Sequence, residues 1–546
     1  MKQSFLFILS IFIFLSLNAQ GEFITRWQLP TGQTSITFNL GVGSGGANYT
    51  WETVPSGQTG SGNFSTAGYS AQTITGLPSG MNIRLSIEAT NLDAFLIQGG
   101  ADRKVISDIE QWGNATWVTM NGAFAGCENL NISASDVPNL SQCSDLSWMF
   151  RACLNLNSPA NINSWNVSTI TNMERMFELA SQFNQPIGDW NTSLVTNMTH
   201  LFSGASAFNQ PIGAWNTSNV TSMTNMFAST SFNQPIGTWI TSNVSNMAGM
   251  FQSANSFNQS LANWNTANVT NMNMLFANTS SFNQPIDNWN TSNVENFNGM
   301  FYNAVAFNQP IGNWDTGSAS DMFGMFWGAS SFNQPINNWD LGNVTKIGSM
   351  FLSASSFNQS LTNWNTANVT SMSGTFLNAS SFNQNVGNWN FTNTTNMSNM
   401  FDNSGIECDI YGDMLSSWAG NSTLPVSLTI GVLNLYYIDG DVSARNSIIS
   451  QNSITLSGDM NAGLTCATAS LDENSLSVID VFPNPANNIL TIRNEGLTSI
   501  QITSSNGANI AHIELNEDTA IDVSSYSPGV YYLRTSEGQT VKFIKQ

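Results

Sequence analysis

A tryptophan returns every 25 residues through the middle of this chain, at Trp165, Trp190, Trp215, Trp239, Trp264, Trp289, Trp314, Trp339, Trp364 and Trp389, with one 24-residue step. Self-similarity of this kind constrains the fold more than any local propensity. A unit this short cannot bury its own apolar face and must stack on its neighbours. Most of the tryptophans follow a block such as Ser231-Phe232-Asn233-Gln234-Pro235-Ile236. Most precede a block such as Asn216-Thr217-Ser218-Asn219-Val220-Thr221-Ser222-Met223, then Met226-Phe227. The second block degenerates upstream to Met149-Phe150 and Ala123-Phe124, so about twelve units run from Phe124 to Phe401.

Within one unit, Phe232, Ile236 and Trp239 are large and apolar, and Pro235 lacks a backbone donor. That stretch reads as a short strand or extended turn. Val220, Met223, Met226 and Phe227 fall at i, i+3, i+6 and i+7, which reads as one face of a two-turn helix with Thr221 as N-cap. The expected product is a repeat solenoid, with a short strand and a short helix in each 25-residue rung. Phe202 to Phe208 spans six positions and Phe227 to Phe232 five, so the 24-residue step shortens the Ala/Ser link and leaves the apolar register intact. The Phe, Ile, Trp, Val, Met and Phe rows point inward. Trp190, Trp215, Trp239, Trp264, Trp289, Trp314, Trp339, Trp364 and Trp389 are therefore the expected core, because large apolar residues are those that must be buried. The competing reading is a surface Trp row stacked against sugar rings. Asn, Ser and Thr rows point outward, either as recognition surface or as side chains bonded to neighbouring turns.

The Phe-Asn-Gln, Trp-Asn-Thr and Met-Phe blocks, as in Ser381 to Phe401, resemble the bacterial surface-protein 26-residue repeat of the BspA-like leucine-rich-repeat surface proteins. The resemblance covers about half the chain. It implies a secreted or surface-displayed leucine-rich-repeat-like solenoid, adhesion or binding, and no catalytic residues to transfer. Ser318-Ala319-Ser320, the extra aromatic Trp327, and Thr375 in place of a Met depart from the pattern.

Composition narrows the function. Thirteen Lys+Arg against 34 Asp+Glu give a net charge of −21, which argues against nucleic acid and anionic membrane surfaces as partners. Between Ile187 and Phe401 the only histidine is His200, and no carboxylate pair recurs at equivalent positions. No nucleophile sits beside a base, so no enzyme, cofactor or metal site is expected. Asp439-Gly440-Asp441 is the most calcium-like fragment and reads as an ordinary turn. Five cysteines leave at least one unpaired or bonded between molecules. Cys127 and Cys153 each lie three residues after aligned phenylalanines, on adjacent rungs. A disulfide fits that placement, and so does a buried thiol ladder.

The flanks differ from the repeat. Residues 1–20 read as a secretory signal peptide, with Lys2 before the apolar run Phe5 to Leu17, and no later segment is apolar long enough to span a membrane. Residues 21–107 alternate polar and apolar between Gly/Pro clusters, as a small β-sandwich does. They resemble the immunoglobulin-like entry domain of such repeat proteins. Residues 108–405 carry the repeats, and 406–468 resemble the family's C-terminal cap. Residues 474–546 form another run of alternating strands, a second sandwich. Pro483-Asn484-Pro485, Gly529-Val530-Tyr531 and the basic final strand with Lys542 and Lys545 resemble the type A C-terminal sorting domain of the type IX secretion system. That resemblance implies handling by the type IX machinery, then release or attachment to anionic lipopolysaccharide. The expected function is a secreted or surface adhesin or scaffold with an unknown protein or glycan ligand. The alternatives are a carbohydrate-binding accessory protein on insoluble glycans and, less well matched, a flat Thr array on a crystalline surface such as ice.

Overall fold

The computed structural model describes residues 21–97, 99–466, 480–482, 484–493, 499–504, 508–514, 519–535 and 540–546. The expected signal peptide, residues 1–20, and Pro483 lie outside the described residues. The chain divides into two units, with the division after Asn461.

The first unit opens on the strands β1 (Glu22–Gln28), β2 (Ser35–Val42), β3 (Ala47–Val54), β4 (Thr59–Phe64), β5 (Gly68–Thr75), β6 (Asn82–Glu88), β7 (Leu92–Leu96), β8 (Ile106–Gln111) and β9 (Asn131–Ile132). They form a six-stranded sheet in the order β4-β3-β6-β1-β8-β9 and a three-stranded sheet in the order β5-β2-β7. Alternation decides what they bury: Ile36, Phe38 and Leu40 from one sheet, and Ile83, Leu85 and Ile87 from the other. The chain does not break at residue 107. β8 pairs antiparallel with β1 and parallel with β9, and Phe95 stacks on Phe124 at 5.5 Å, so the sandwich core runs on into the first repeat.

The repeat overturns the expected leucine-rich-repeat-like solenoid of strand and helix. Between Trp165 and Glu407 there is no helix and no strand of more than a bridge; each unit is built of turns. The described chain is mostly β, in six small separate sheets, and its two α-helices lie after the repeats. Successive units are joined by single parallel bridges, Asn172 to Asn197, Asn197 to Ser222, Ser222 to Asn246 and onward to Asn396. The Met-Phe segment is a ribbon in which alternate N–H groups leave the unit. The amides of Met223, Asn225, Phe227 and Ser229 donate to the carbonyls of Asn246, Ala248, Met250 and Gln252, while Met226 and Ala228 close turns three residues back.

Two left-handed residues per unit, four apart, force this. One row includes His200, Asn225, Gly249, Met274, Gly299, Gly324 and Ser349, and the other Gly204, Ser229, Ser253, Asn278, Asn303, Gly328 and Ser353, all with φ of 52–73°. A right-handed helix cannot pass through them. Thr221 is accordingly no N-cap; its hydroxyl donates to the Thr196 carbonyl of the unit before.

Apolar rows stack at the period. The Phe row after Met repeats at 5.6–5.9 Å between Phe177 and Phe401. Trp190 through Trp339 repeat at 6.3–6.5 Å with planes within 4°. Parallel bridges hold neighbouring backbones about 4.8 Å apart. The units therefore fan open from ribbon to Trp row, and the ribbon lies on the inside of the fan. At the 24-residue step Phe232 still stacks on Phe208 and Phe257, at 6.0 and 6.3 Å.

After the last unit come α1 (Cys408–Ala419), β10 (Thr429–Gly431), β11 (Tyr436–Tyr437), α2 (Val442–Asn452), β12 (Thr455–Ser457) and β13 (Met460–Asn461). β10 takes a bridge from Met397, and Trp418 and Tyr411 close the apolar end. Asp439–Asp441 is a 3₁₀ turn leading into α2.

The second unit contains β14 (Asp480–Phe482), β15 (Ile489–Arg493), β16 (Ser499–Ser504), β17 (Asn509–Glu514), β18 (Thr519–Asp522), β19 (Gly529–Thr535) and β20 (Thr540–Lys545). The sheets β14-β15-β18 and β17-β16-β19-β20 bury Leu490, Ile492, Ile500, Ile502, Leu533 and Phe543 in a core of their own.

Candidate binding surface

The nine tryptophans from Trp190 to Trp389 are buried, none more than 4% exposed. A buried indole usually finds a partner for its N–H, although Trp165 does not. Trp264 Nε1 donates to the Ile236 carbonyl at 3.1 Å, and the other eight donate likewise to the unit before. This periodic Trp row is therefore no platform for sugar rings.

The polar rows split. In Phe-Asn-Gln, the Asn233 Oδ1 accepts from the Asn258 amide at 3.0 Å and from Gln259 Nε2 at 2.9 Å; the same pair of bonds recurs from Asn184 to Asn383. In Trp-Asn-Thr, threonines such as Thr217 and Thr266 are buried, not outward, and donate to the carbonyl of the next unit. Asn219, Asn243 and Asn268 donate to the carbonyls of Ser193, Ser218 and Ser242. These rows are structural mortar. The ribbon edge at Thr196, Thr221, Ser245 and Thr270 is exposed, its hydroxyls leaning back onto carbonyls, with half-buried ribbon positions beside it; Pro211, Ala214, Asn216 and Asn219 and several of their equivalents are exposed as well.

One part of the ribbon is charged. Glu178, 7% exposed, accepts from Arg151 and Arg175, and both guanidinium groups lie over Trp148, at 5.0 and 5.3 Å from its ring. His200 Nδ1 lies 3.7 Å from Glu178. Burial, then the Arg175 charge, holds His200 below the ordinary histidine range against the pull of Glu178 and Glu174. The sequence singled out His200 but not this knot. Its only signal was four charged residues, Arg151, Glu174, Arg175 and Glu178, within a charge-poor repeat.

The Cys127–Cys153 bridge is not formed. Both thiols are free and buried, as is Cys143, and the Cys153 thiol donates to the Phe124 carbonyl at 3.1 Å. Burial pushes all three thiols up. Cys408 and Cys466 are the disulfide-bonded cysteines. Among the described residues no group of three or more His, Cys, Asp or Glu is placed to hold a metal ion, and no helix is long and apolar enough to cross a membrane.

In the second unit, Asn484 Nδ2 donates to the Lys542 carbonyl and its Oδ1 accepts from the Ile544 amide, pinning the Asn484-Pro485 turn to β20. Gly529 begins β19. Tyr531 stacks on Phe543 at 5.4 Å, and its hydroxyl donates to Ser527 O. Lys542 is exposed; Lys545 is largely buried and donates to the Gln546 carbonyl.

The family described as "Mycoplasma protein of unknown function, DUF285" matches residues 101–161, 118–234, 228–335 and 309–414, together more than half of the chain. The family described as "Secretion system C-terminal sorting domain" matches residues 480–546. No curated protein and no solved structure matches.

Proposed function

Since the chain belongs to the DUF285 repeat family and ends in a secretion-system sorting domain, which directs export to the cell surface or beyond it, we propose that it is a non-enzymatic adhesin or binding scaffold. In this reading the type IX machinery recognises residues 480–546, and the exported chain is either released or held on anionic lipopolysaccharide. The ribbon on the inside of the fan meets the ligand.

The observation that carries the reading is the exposed polar edge at Thr196, Thr221, Ser245 and Thr270, which continues with single changes at Glu295 and the half-buried Thr345. Repetition suits avidity, in which linked weak contacts raise overall affinity by about 10²–10⁴. Catalysis needs a single set of unlike groups, which a periodic surface does not supply. The test is a series of chains lacking one, two and four whole central units, measured on bacterial or host surfaces that retain the full chain. Binding should fall progressively with each unit removed. Loss on removing one particular unit, with no effect from the others, refutes avidity.

A further inference from the structure

Two adjacent units of the ribbon carry aromatic side chains where their neighbours do not. Phe323 occupies the position held by Thr224, Ala248, Asn273 and Asn298 in earlier units, and Tyr302 and Trp327 the position held by Ala228, Gln252 and Ala277. The ribbon bonds fix this register: the Gly299 amide donates to Phe323 O, Asn278 to Tyr302 O and Asn303 to Trp327 O. Other units stack equally well without bulk at these places, so the aromatics are not required by the fold. Phe323 is 40% exposed, and Tyr302 and Trp327 are half-buried, edge to face at 5.1 Å.

Glycine lies beside two of the rings, Trp327 and Phe323. Gly324, between Phe323 and Trp327 in the chain, has φ +59°, and a Cβ there would sit 3.6 Å from the Trp327 ring. A Cβ at Gly348 would sit 3.3 Å from Phe323. Bare backbone therefore borders both rings, and at Gly348 a side chain would press on Phe323. Of the charged groups near the patch, Lys346 Nζ pairs with Asp321 at 3.0 Å, and the exposed Glu295 lies one unit earlier on the ribbon edge. Asn303 and Asn278, linked amide to amide at 3.1 Å, sit in the same turns.

We propose that Tyr302, Phe323 and Trp327 form a binding site for a short segment of neutral carbohydrate. Ring faces cover the apolar C–H face of a sugar, and adjacent amides and backbone groups meet its hydroxyls. The rings and the Asn278–Asn303 amides are uncharged, so a neutral ligand that covers them has no charge to desolvate there. The rings lie within two adjacent units, a span suited to a few sugar residues, whereas a stable protein partner normally buries about 800 Å² on each side. A protein occupant is the competing outcome. The proposal rests on the ribbon being the binding face, and adds that one stretch of it is unlike the rest.

The test is calorimetric titration of the full chain with neutral tetrasaccharides of glucose, mannose, galactose and N-acetylglucosamine. At least one should bind, and Trp327→Ala and Phe323→Ala should each weaken it about tenfold, as loss of an aromatic contact does. Thr221→Ala, remote from the patch, should leave it unchanged. Unaltered melting temperatures show that the variants fold. The site is overturned if no tetrasaccharide binds, or if binding survives both substitutions. It is also overturned if the substitutions abolish only capture of a protein. The unit-deletion series reads the avidity account separately: graded loss with intact binding by Trp327→Ala keeps that account and removes this one.

Discussion

At the residue scale, the buried polar atoms decide which substitutions hurt. Trp264 fills the core and also satisfies the Ile236 carbonyl, so Trp264→Ala should cost about 3–5 kcal/mol, read from denaturant unfolding. Asn258 acts as an acceptor for Asn283 and Gln284. Asn258→Asp keeps an acceptor oxygen there and should cost less than Asn258→Leu, which orphans both donors at about 1–3 kcal/mol. His200 gives a pH signature. Its folded pKa lies below its unfolded value near 6.5, so the unfolded chain takes up the proton first and stability falls as pH drops below about 6.5. His200→Asn, matching Asn225 at the same left-handed place, should reduce the fall in melting temperature between pH 7 and pH 5 relative to the parent. An unchanged pH profile would show that the carboxylates alone produce it. Cys127, Cys143 and Cys153 should resist iodoacetamide in the folded chain and react in urea.

At the element scale, the ribbon shows why a helical period misled. Val220, Met223, Met226 and Phe227 are all buried, so the spacing did mark an inward face. It did not fix the path between them, because a ribbon with two left-handed residues brings the same positions inward. The missed signal was Asn, Gly or Ser recurring at Asn225, Gly249, Gly299 and Gly324 and at Ser229, Asn278 and Asn303, the residues that tolerate positive φ. Ser353 has φ +56°. Ser353→Val should therefore cost about 1–2 kcal/mol while Ser353→Gly is tolerated, as thermal melts of the two variants would show.

At the scale of the whole molecule, two separate cores predict two separable parts. Removing residues 480–546 should leave the first unit folded and its melting transition unchanged, while export from the cell stops. Normal delivery of the truncated chain would show that the sorting assignment is misplaced. Within the repeat, deleting one full period, residues 257–281, should leave a cooperative melt, because Phe251 then meets Phe282 as it now meets Phe257. Deleting half a period should not, since every ladder would lose register.

The sequence by itself determined the period and the inward apolar rows, because each is a choice of side chain repeated a dozen times, and it left the Asn and Ser rows open between recognition surface and structural bonding. It also determined the sorting domain, through local turn and strand motifs. Only the tertiary structure decided that the rungs are turns, that the indole N–H groups are satisfied from the unit before, and that Thr217 and its equivalents face inward. It alone placed Tyr302 edge to face with Trp327 and left the Cys127 and Cys153 thiols free of a disulfide. The physical reason is common to all of these. The deciding hydrogen bonds and contacts run between units about 25 residues apart, and a local pattern says which residues are alike without saying which atoms meet.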